Sequence, residues 1–355
     1  MKPIKRRTDS AFTIIELLVV IVVIGVIAAI SFVAYMGVSQ RAVSASLKSD
    51  LSTAAKRIKM FQIENSAYPN SLTDCPNPAP SNLCVKLSSG NSYIGYAADN
   101  TSSPQTYLLI AGNGSIYYKI TDSNQLAQLN PPTQPGVTPG ATVELHAAKA
   151  NSGAGPGINS PITTTWADTS GNNYNGIALG LTGSPWIGTG TAVNPYALAF
   201  TGGDDYVYTT NTPINKSNFT LEVWDRQTIR SPAYTRWLTS FSSGGLSDWN
   251  GDGTMYALLW GTGGPGYSLV ATPGDLANGA LHHIVMTVST TELKLYVDNG
   301  LVGTSSLVGF VTNDPGASIG LATNGWIGNI SVARLYGWPL SATQVSANYA
   351  AGADW

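Results

Sequence analysis

The chain has 355 residues, of which 11% are charged, and its formal net charge is −2 at pH 7. This length leaves room for two or three domains. The small charged fraction favours an exposed β-rich surface protein over a cytosolic enzyme or a disordered acidic tail. Because the chain has no basic excess, nucleic-acid binding has no electrostatic support, and we expect no nucleic-acid partner.

A short basic stretch and a long apolar one come first along the chain. Residues 1–11 contain four cations and one acid, and residues 12–36 are apolar except for Glu16 and a few small residues. The apolar stretch is long enough to cross a bilayer of about 30 Å, and the cations before it place its N-terminus in the cytoplasm. A carboxylate inside a bilayer costs about 2.5–3.5 kcal/mol. Because no cationic side chain lies in this stretch, Glu16 implies a partner that the sequence does not yet show.

Residues 37–129 are predicted to form a globular region with an amphipathic helix and a small sheet. Apolar residues from Val43 to Phe61 recur at spacings of three and four, which continues the helix to about residue 64. Pro69 and neighbouring asparagines end it. Alternating segments between Tyr93 and Ile120 predict a three-stranded antiparallel sheet.

The second half of the chain is predicted to be a β-sandwich. Residues 130–142 are rich in proline and glycine and are predicted to form a semi-rigid, extended linker. Residues 143–355 contain many short strand-like runs, a hairpin signal at Val297–Gly300 and one short helix after Ser341. The fold class is therefore α+β: a long N-terminal helix with a small antiparallel sheet, followed by an all-β sandwich.

Cys75 and Cys84 are the two cysteines of the chain. In an oxidising compartment a disulfide between them would close a short loop, which is worth about 2.7 kcal/mol. The alternative is a pair of unrelated thiols.

Two features of the sandwich region could bind a ligand. Asp248, Asn250 and Asp252 have the spacing of a calcium loop, but position twelve is Leu259, so a looser Ca²⁺ site and a plain polar turn both stay open. No other cofactor is required. The nine tryptophans all lie beyond residue 165, where most are expected in the core. Trp249, in a loop rich in glycine and aspartate, is the candidate for an exposed ligand-binding aromatic residue.

Polysaccharide hydrolysis is not expected, and no catalytic residue is predicted. Hydrolysis requires two carboxylates about 5–9.5 Å apart. The glutamates of the sandwich region, Glu144, Glu222 and Glu292, are widely separated and each lies in a strand pattern. His282 and His283 are expected to have packing roles.

The N-terminal stretch resembles the class III signal of type IV pilins and pseudopilins. The matching residues are the basic leader, Ala11, Phe12, Thr13 and Glu16, followed by an apolar run that contains Gly25. The resemblance implies that a prepilin peptidase removes residues 1–11, cutting between Ala11 and Phe12, and methylates the new amine. The family usually has glycine where this chain has Ala11. Phe12, Glu16 and Gly25 would then serve assembly with other pilin subunits.

This resemblance supplies a partner for Glu16. Cleavage creates a positive amine on Phe12, and in a filament Glu16 of one subunit can meet the amine of its neighbour. At about 4 Å, such a pair attracts by about 4 kcal/mol at an effective dielectric constant of 20. That attraction offsets the cost of burying the carboxylate.

The C-terminal region resembles laminin-G-like, concanavalin A-like domains of bacterial surface proteins. The resemblance rests on "WADTSGNNYNG", "ALAFTGGDDYVYT" and the closing segment from "IGNISVARLYG" onward. Domains of this kind bind glycans, proteins or calcium. The whole chain is then expected to be a type IV pilus subunit, a minor, tip or decorated pilin, with a single-pass membrane anchor before assembly and an extracellular pilus location afterwards. Its lectin-like domain would attach to a glycan or protein.

Three alternatives remain. The first is a pseudopilin of a type II secretion-like system, and the second is a glycan hydrolase held at the surface by a pilin-like helix. The third, a DNA-uptake pilin, is disfavoured because a basic patch is missing.

Overall fold

A computed structural model describes residues 14–72, 86–101, 103–129, 137–149, 165–182, 185–210, 212, 217–233, 235–240, 244–248, 250–262, 267–312 and 319–353. The chain divides into two compact units, residues 1–46 and residues 47–355. The described residues of the first unit all belong to one helix.

That helix, α1, runs from Ile14 to Asn65, which confirms the predicted long N-terminal helix. Within the second unit, Leu47, Leu51 and Ile58 of α1 are buried. This pattern follows from their spacing, because residues three, four and seven apart share one helix face. Asp50 anchors the same turn by accepting hydrogen bonds from the backbone and side chain of Ser88 at 2.7 and 2.8 Å.

A small antiparallel sheet follows α1, and we call it the small sheet. Its strands, in spatial order, are β1 (Ser92–Asp99), β2 (Thr106–Asn113), β3 (Ile116–Thr121) and β4 (Leu126–Leu129). The sequence predicts three strands here and the structure has four. The fourth strand has only four residues and follows a turn in which Asn124 adopts φ 58°, so it gives little alternation to detect.

Two further antiparallel sheets pack face to face as a sandwich. The first, which we call the open sheet, consists of β6 (Thr165–Trp166), β7 (Gly176–Leu179), β10 (Tyr206–Thr209), β12 (Thr235–Ser240), β13 (Gly244–Asp248), β14 (Thr254–Thr262), β15 (Tyr267–Asp275), β19 (Val311–Thr312) and β20 (Ile319–Thr323). The second, which we call the covered sheet, consists of β5 (Val143–His146), β8 (Trp186–Ile187), β9 (Ala197–Thr201), β11 (Phe219–Arg226), β16 (Leu281–Val288), β17 (Glu292–Val297), β18 (Gly300–Ser306) and β21 (Ile327–Tyr336).

The main core lies between these two sheets. In β11, Phe219, Leu221 and Val223 belong to it, and residues of β14 such as Met255 and Leu259 meet them from the open sheet. Because successive side chains of a strand point to opposite faces, the alternating positions of each strand face away from this core. The two outer faces of the sandwich are built from those positions.

The predicted hairpin and the predicted C-terminal helix are both confirmed. Asp298 and Asn299 form the two-residue turn between β17 and β18 with φ of 48° and 69°, the left-handed conformation that a type I′ turn requires. Helix α2 spans Ala342–Ala351, and Ser341 caps it through a reciprocal pair of hydrogen bonds with Gln344.

The small sheet and α2 pack on the outer face of the covered sheet. Ala97 and Ile110 of the small sheet share one buried cluster with Tyr336 and Trp338 of the sandwich and Val345 of α2. Two hydrogen bonds also link these parts: Asn218 to the Ala98 carbonyl at 2.8 Å, and Gln344 to the Ile94 carbonyl at 2.7 Å.

The described end of the predicted linker belongs to this packed region. Val137 and Thr138 are buried, so this part of residues 130–142 is not a solvated spacer. Thr138 accepts a hydrogen bond from the Tyr336 hydroxyl at 3.3 Å, and its backbone N–H donates to Asn348 at 2.7 Å. Residues 130–136 lie outside the described part of the chain, and the predicted domain boundaries stay predictions.

Candidate functional site

The predicted processing and assembly residues lie at the start of the chain. Ala11 and Phe12 fall outside the described residues, whereas Glu16 and Gly25 lie in α1. A Cβ atom added at Gly25 would meet no atom within 4 Å, so packing within one chain does not require glycine there. The roles of these four residues stay predictions.

The first half of α1 exposes a continuous apolar surface. Its large apolar side chains expose between 49% and 75% of their area. They are Ile15, Leu17, Leu18, Val19, Val20, Ile21, Val22, Val23, Ile24, Val26, Ile27, Ile30, Phe32, Tyr35 and Val38. Large contiguous apolar patches mark surfaces that other proteins or lipids cover.

Within the described part of the chain, no helix combines the length and the apolar character needed to cross a membrane. The predicted membrane span over residues 12–36 stays a prediction. Cys75, Cys84 and Trp249 also lie outside the described residues, so the disulfide and the ligand contact assigned to them stay predictions.

The predicted calcium ligands lie at the last residue of β13 and in the turn that follows it. Asp248 is fully buried, and its carboxylate accepts three backbone N–H bonds at 2.7 to 3.1 Å. Asn250 donates to the Tyr256 hydroxyl at 2.8 Å, and the backbone N–H of Thr254 donates to Asp252 at 2.9 Å, which lowers the pKa of that carboxyl. Among the described residues, no group of three or more His, Cys, Asp or Glu side chains could hold a metal ion. These contacts close a polar turn, and the calcium assignment stays a prediction.

A buried ionic network lies on the outer face of the covered sheet. Arg334 donates to Glu144 at 2.9 Å and to Glu222 at 2.8 Å, and His283 Nε2 lies 3.1 Å from Glu222. Asn348 of α2 donates to the other oxygen of Glu222 at 2.6 Å. Burial alone would raise the pKa of Glu222, but Arg334, then His283 and Asn348, lower it to about 2.

These carboxylates have a structural role. The side chains of Glu222 and Glu144 are 0% and 4% exposed, so a polysaccharide does not reach them. The third glutamate, Glu292, pairs with Lys294 at 2.6 Å on the surface. His283 packs against the Trp224 ring with centroids 4.6 Å apart, which is the packing role expected of it.

The outer face of the open sheet carries the best candidate for a binding site. In β14, Met255, Ala257 and Leu259 face the core, so the residues between them and beyond face outward. Strand pairing sets Trp260 beside Tyr267 and Leu258 beside Leu269. The depression on this face has a volume of about 150 Å³. We call it the aromatic platform, and its residues are Tyr256, Leu258, Trp260, Tyr267 and Leu269.

The aromatic platform presents rings and a hydroxyl group to solvent. The rings of Trp260 and Tyr267 lie 6.1 Å apart at 67°, and Tyr267 is 45% exposed. The Tyr256 hydroxyl is held by Asn250. Aromatic side chains combine a broad apolar face with a polar edge, which matches the apolar face and hydroxyl rim of a sugar ring.

Sequence reasoning missed this platform. Five tryptophans are buried as expected, namely Trp166, Trp186, Trp224, Trp326 and Trp338. Trp260 is partly exposed, and the stretch "MYALLWG" gives one signal of it. In this strand both the inward-facing and the outward-facing positions are apolar. Because only the inner face of the open sheet packs against the covered sheet, apolar side chains are left on its outer face.

Two family models match the chain. Residues 6–32 match the prokaryotic N-terminal methylation motif, and residues 201–346 match the concanavalin A-like lectin/glucanases superfamily. The chain carries a pilin-type signal and a lectin-like domain. The methylation motif includes Ala11, Phe12, Glu16 and Gly25, and the lectin-like match includes the aromatic platform. No curated protein matches the chain.

Solved structures similar to the chain include binding domains of botulinum neurotoxins. The receptor binding domain of the C/D mosaic serotype has a TM-score of 0.43 and 14% identity, covering 60% of this chain and 51% of that chain. The serotype G binding domain has a TM-score of 0.43 and 15% identity, covering 59% and 50%. The chain thus spans about half the length of these structures. A likeness this distant carries no argument about ligands or partners.

Proposed function

We propose that this chain is a type IV pilus subunit that assembles through its N-terminal helix and displays a lectin-like adhesion domain, as a minor, tip or decorated pilin. The observation that carries the proposal is the union of two surfaces in one chain. One is the apolar helix surface, most of which lies within the methylation motif, and the other is the aromatic platform within the lectin-like domain. The protein acts by presenting a binding surface to a glycan or protein on another cell or matrix.

Assembly uses the start of α1. A prepilin peptidase cuts before Phe12, and the new amine of one subunit meets Glu16 of another. Such a pair at about 4 Å is worth about 4 kcal/mol at an effective dielectric constant of 20. The exposed apolar side chains from Ile15 to Val38 pack against other pilin helices. Before assembly this helix anchors the chain in the membrane, and afterwards the chain is extracellular.

Display of the binding surface depends on which outer face of the sandwich is covered. The small sheet and α2 cover the outer face of one sheet, and the aromatic platform lies on the outer face of the other. Attachment of the lectin-like domain to the pilin region therefore leaves the platform free to bind. This arrangement supports adhesion through the open sheet.

Adhesion is tested with the full chain in detergent on arrays of glycans and matrix proteins, with and without a calcium chelator. We expect at least one ligand to be retained, and the double variant Trp260→Ala/Tyr267→Ala to lose at least tenfold in retention. Tyr93→Ala is the matched control, because Tyr93 is 58% exposed but lies on the small sheet. Retention of no ligand, or equal retention by the double variant, contradicts adhesion through the platform.

Assembly is tested by expressing Glu16→Ala with a prepilin peptidase and measuring filament yield. We expect at least a tenfold loss, whereas Glu64→Ala, an exposed glutamate of the same helix, keeps the yield. Normal yield from Glu16→Ala would refute the assembly mechanism.

Two further experiments test processing and the alternative function. Mass spectrometry of the wild-type chain should find methylated Phe12 at the N-terminus. If deletion of the gene stops protein secretion and leaves attachment intact, the chain is a secretion pseudopilin instead.

A further inference from the structure

A second concavity lies where the small sheet meets the sandwich, apart from the aromatic platform. Its volume is about 440 Å³, within the range of roughly 300–1,000 Å³ that is typical of small-molecule sites. We call it the junction cleft. Its residues are Asp99, Thr106, Tyr107, Leu108, Ile110, Lys119, Thr121, Asp122, Leu129, Gly140, Thr142, Asn172, Tyr174 and Gly337.

One wall of the junction cleft is a face of the small sheet. Lys119 pairs with Ile110, and Thr121 pairs with Leu108. Directly opposite residues of an antiparallel pair share one face of the sheet. Ile110 and Leu108 pack in the cluster around Trp338, so Lys119 and Thr121 lie on the same side, facing the sandwich.

The other wall is a loop of the sandwich that its own hydrogen bonds hold in place. Asp168 accepts backbone N–H bonds from Ser170 and Tyr174, each at 2.9 Å. Asn172 donates its side-chain amide to the Thr142 carbonyl at 3.0 Å. The backbone of Tyr174 and the side chain of Asn172 are therefore held in place before any ligand arrives, which lowers the entropic cost of binding.

The lining combines polar and apolar side chains. Lys119 and Asp122 are half-buried, and among the described residues neither side chain has a hydrogen bond or an ion pair. Asp122 acts electrostatically on the Tyr107 hydroxyl, whose pKa is raised first by burial and then by Tyr68 and Asp122. Half-buried charges that have no hydrogen bond or ion pair bind solvent or a ligand. Leu108, Ile110 and Leu129 add an apolar floor beside them. Hydroxyl-rich rings, with one apolar face and polar edges, suit such a lining.

We propose that the junction cleft is a second binding site, which takes a mono- or disaccharide. Lys119 and Asp122 hold sugar hydroxyl groups, Lys119 as donor and Asp122 as acceptor, and Tyr174 and Asn172 contact the ring from the sandwich. The site goes beyond the proposed adhesive function, because it requires neither the aromatic platform nor filament assembly.

The test is isothermal titration of the full chain in detergent with glucose, galactose, mannose, N-acetylglucosamine, lactose and cellobiose. We expect at least one sugar to bind, and Lys119→Met/Asp122→Asn to weaken that binding at least tenfold. Tyr93→Ala is the matched control and should leave the affinity for that sugar within twofold, because Tyr93 is exposed on the small sheet and lies outside both the junction cleft and the aromatic platform. Because both cleft side chains are half-exposed, the double variant should keep the thermal midpoint of the wild type, and Thr121→Val provides a second cleft variant.

Two outcomes overturn the proposal. The first is that none of the six sugars binds, and the second is that Lys119→Met/Asp122→Asn binds as the wild type does. Loss of binding in Trp260→Ala alone assigns the sugar to the aromatic platform instead. If the array experiment fails but the titration still shows sugar binding to the junction cleft, only the adhesion proposal is refuted. The two failures are therefore distinguishable.

Discussion

The two outer faces of the sandwich differ in burial: one is covered by other parts of the chain, and the other is exposed to solvent. The face of the covered sheet bears Glu144, Glu222 and Arg334, all buried beneath α2 and the adjoining segments. The face of the open sheet bears Tyr267 and Leu269, which are 45% and 39% exposed. Charged side chains are thus buried on one face while aromatic and aliphatic ones stay in contact with water on the other.

The contrast separates a face that stabilises the fold from a face that stays accessible to solvent. A buried carboxylate is tolerated only when a cation and further donors satisfy it, so the covered face is committed to holding the chain together. Exposed aromatic side chains contribute little to folding and leave a surface able to bind. The open face is therefore the one that stability does not need, which leaves it available for the adhesion proposed above.

Arg334→Met should give the largest loss of stability on the covered face. The substitution leaves Glu144 and Glu222 buried without their cation, and we expect the free energy of unfolding to fall by about 3–5 kcal/mol. Urea unfolding followed by tryptophan fluorescence measures this change. Adding Glu144→Gln and Glu222→Gln should restore part of the loss, because the uncompensated charges are then gone.

The matched control for this variant is Arg230→Met on the surface. Arg230 pairs with Asp275 at 2.8 Å, but its side chain is 58% exposed, so we expect a loss of at most about 1 kcal/mol. Equal losses from the two arginine variants would erase the contrast between the buried network and a surface ion pair.

Gly95→Ala tests whether the small sheet is tightly packed on the covered face. A Cβ atom at Gly95 would lie 2.6 Å from the Trp338 ring, and overpacking of this kind costs about 1–3 kcal/mol. Gly274→Ala is the control, since a Cβ atom there meets nothing within 4 Å. Comparison of the two urea midpoints decides the matter: similar midpoints would mean that the contact between Gly95 and Trp338 is loose.

Introducing threonine in place of an aliphatic residue on each face gives a narrower comparison. Val285 is fully buried under the small sheet, and Val285→Thr should cost about 1–3 kcal/mol because its hydroxyl is desolvated. Leu269→Thr on the aromatic platform should change the free energy of unfolding by at most about 0.5 kcal/mol. Urea unfolding of both variants measures the difference, and a larger loss at Leu269 would show that the open face contributes to the core.

Local features of the fold could be predicted from the sequence. The spacing of Leu47, Leu51 and Ile58 predicts α1, Ser341 predicts the start of α2, and "VDNG" predicts the β17–β18 turn. Each depends on residues close together along the chain. The methylation motif and the lectin-like domain were also predicted from their residues, and family models match both.

The covering of one face could not be predicted in this way. It depends on contacts such as that of Gly95 with Trp338, which join distant parts of the chain. Alternation also fails to identify the aromatic platform, because Leu258 and Leu259 are both apolar while only Leu259 belongs to the main core. Which face receives a partner sheet is decided by tertiary packing and not by the strand itself.

His282→Gln should have the smallest effect on the free energy of unfolding. This variant tests the contribution of the pair that His282 forms with Asp298. His282 Nδ1 donates a hydrogen bond to the Asp298 carboxylate at 2.8 Å, which raises the pKa of His282 against the opposing effect of burial. A raised histidine pKa means that the stabilisation is fully present below about pH 6.5 and is lost as the pH rises through the folded-state value. Burial would raise the pKa of Asp298, but His282 and the backbone N–H of His283 lower it, so its own contribution is lost only in acid, below about pH 4.

Urea unfolding at pH 5.5 and at pH 8.5 therefore separates the wild type from the variant. Between these two values the wild type should lose more stability than His282→Gln, by less than about 1 kcal/mol, because the Asp298 side chain is 38% exposed and water screens the pair. A pH dependence that is the same in both proteins would mean that the pair adds nothing. A difference of several kcal/mol would place this pair with the buried network of Arg334, and the boundary of the covered face would then extend to the hairpin turn at Asp298.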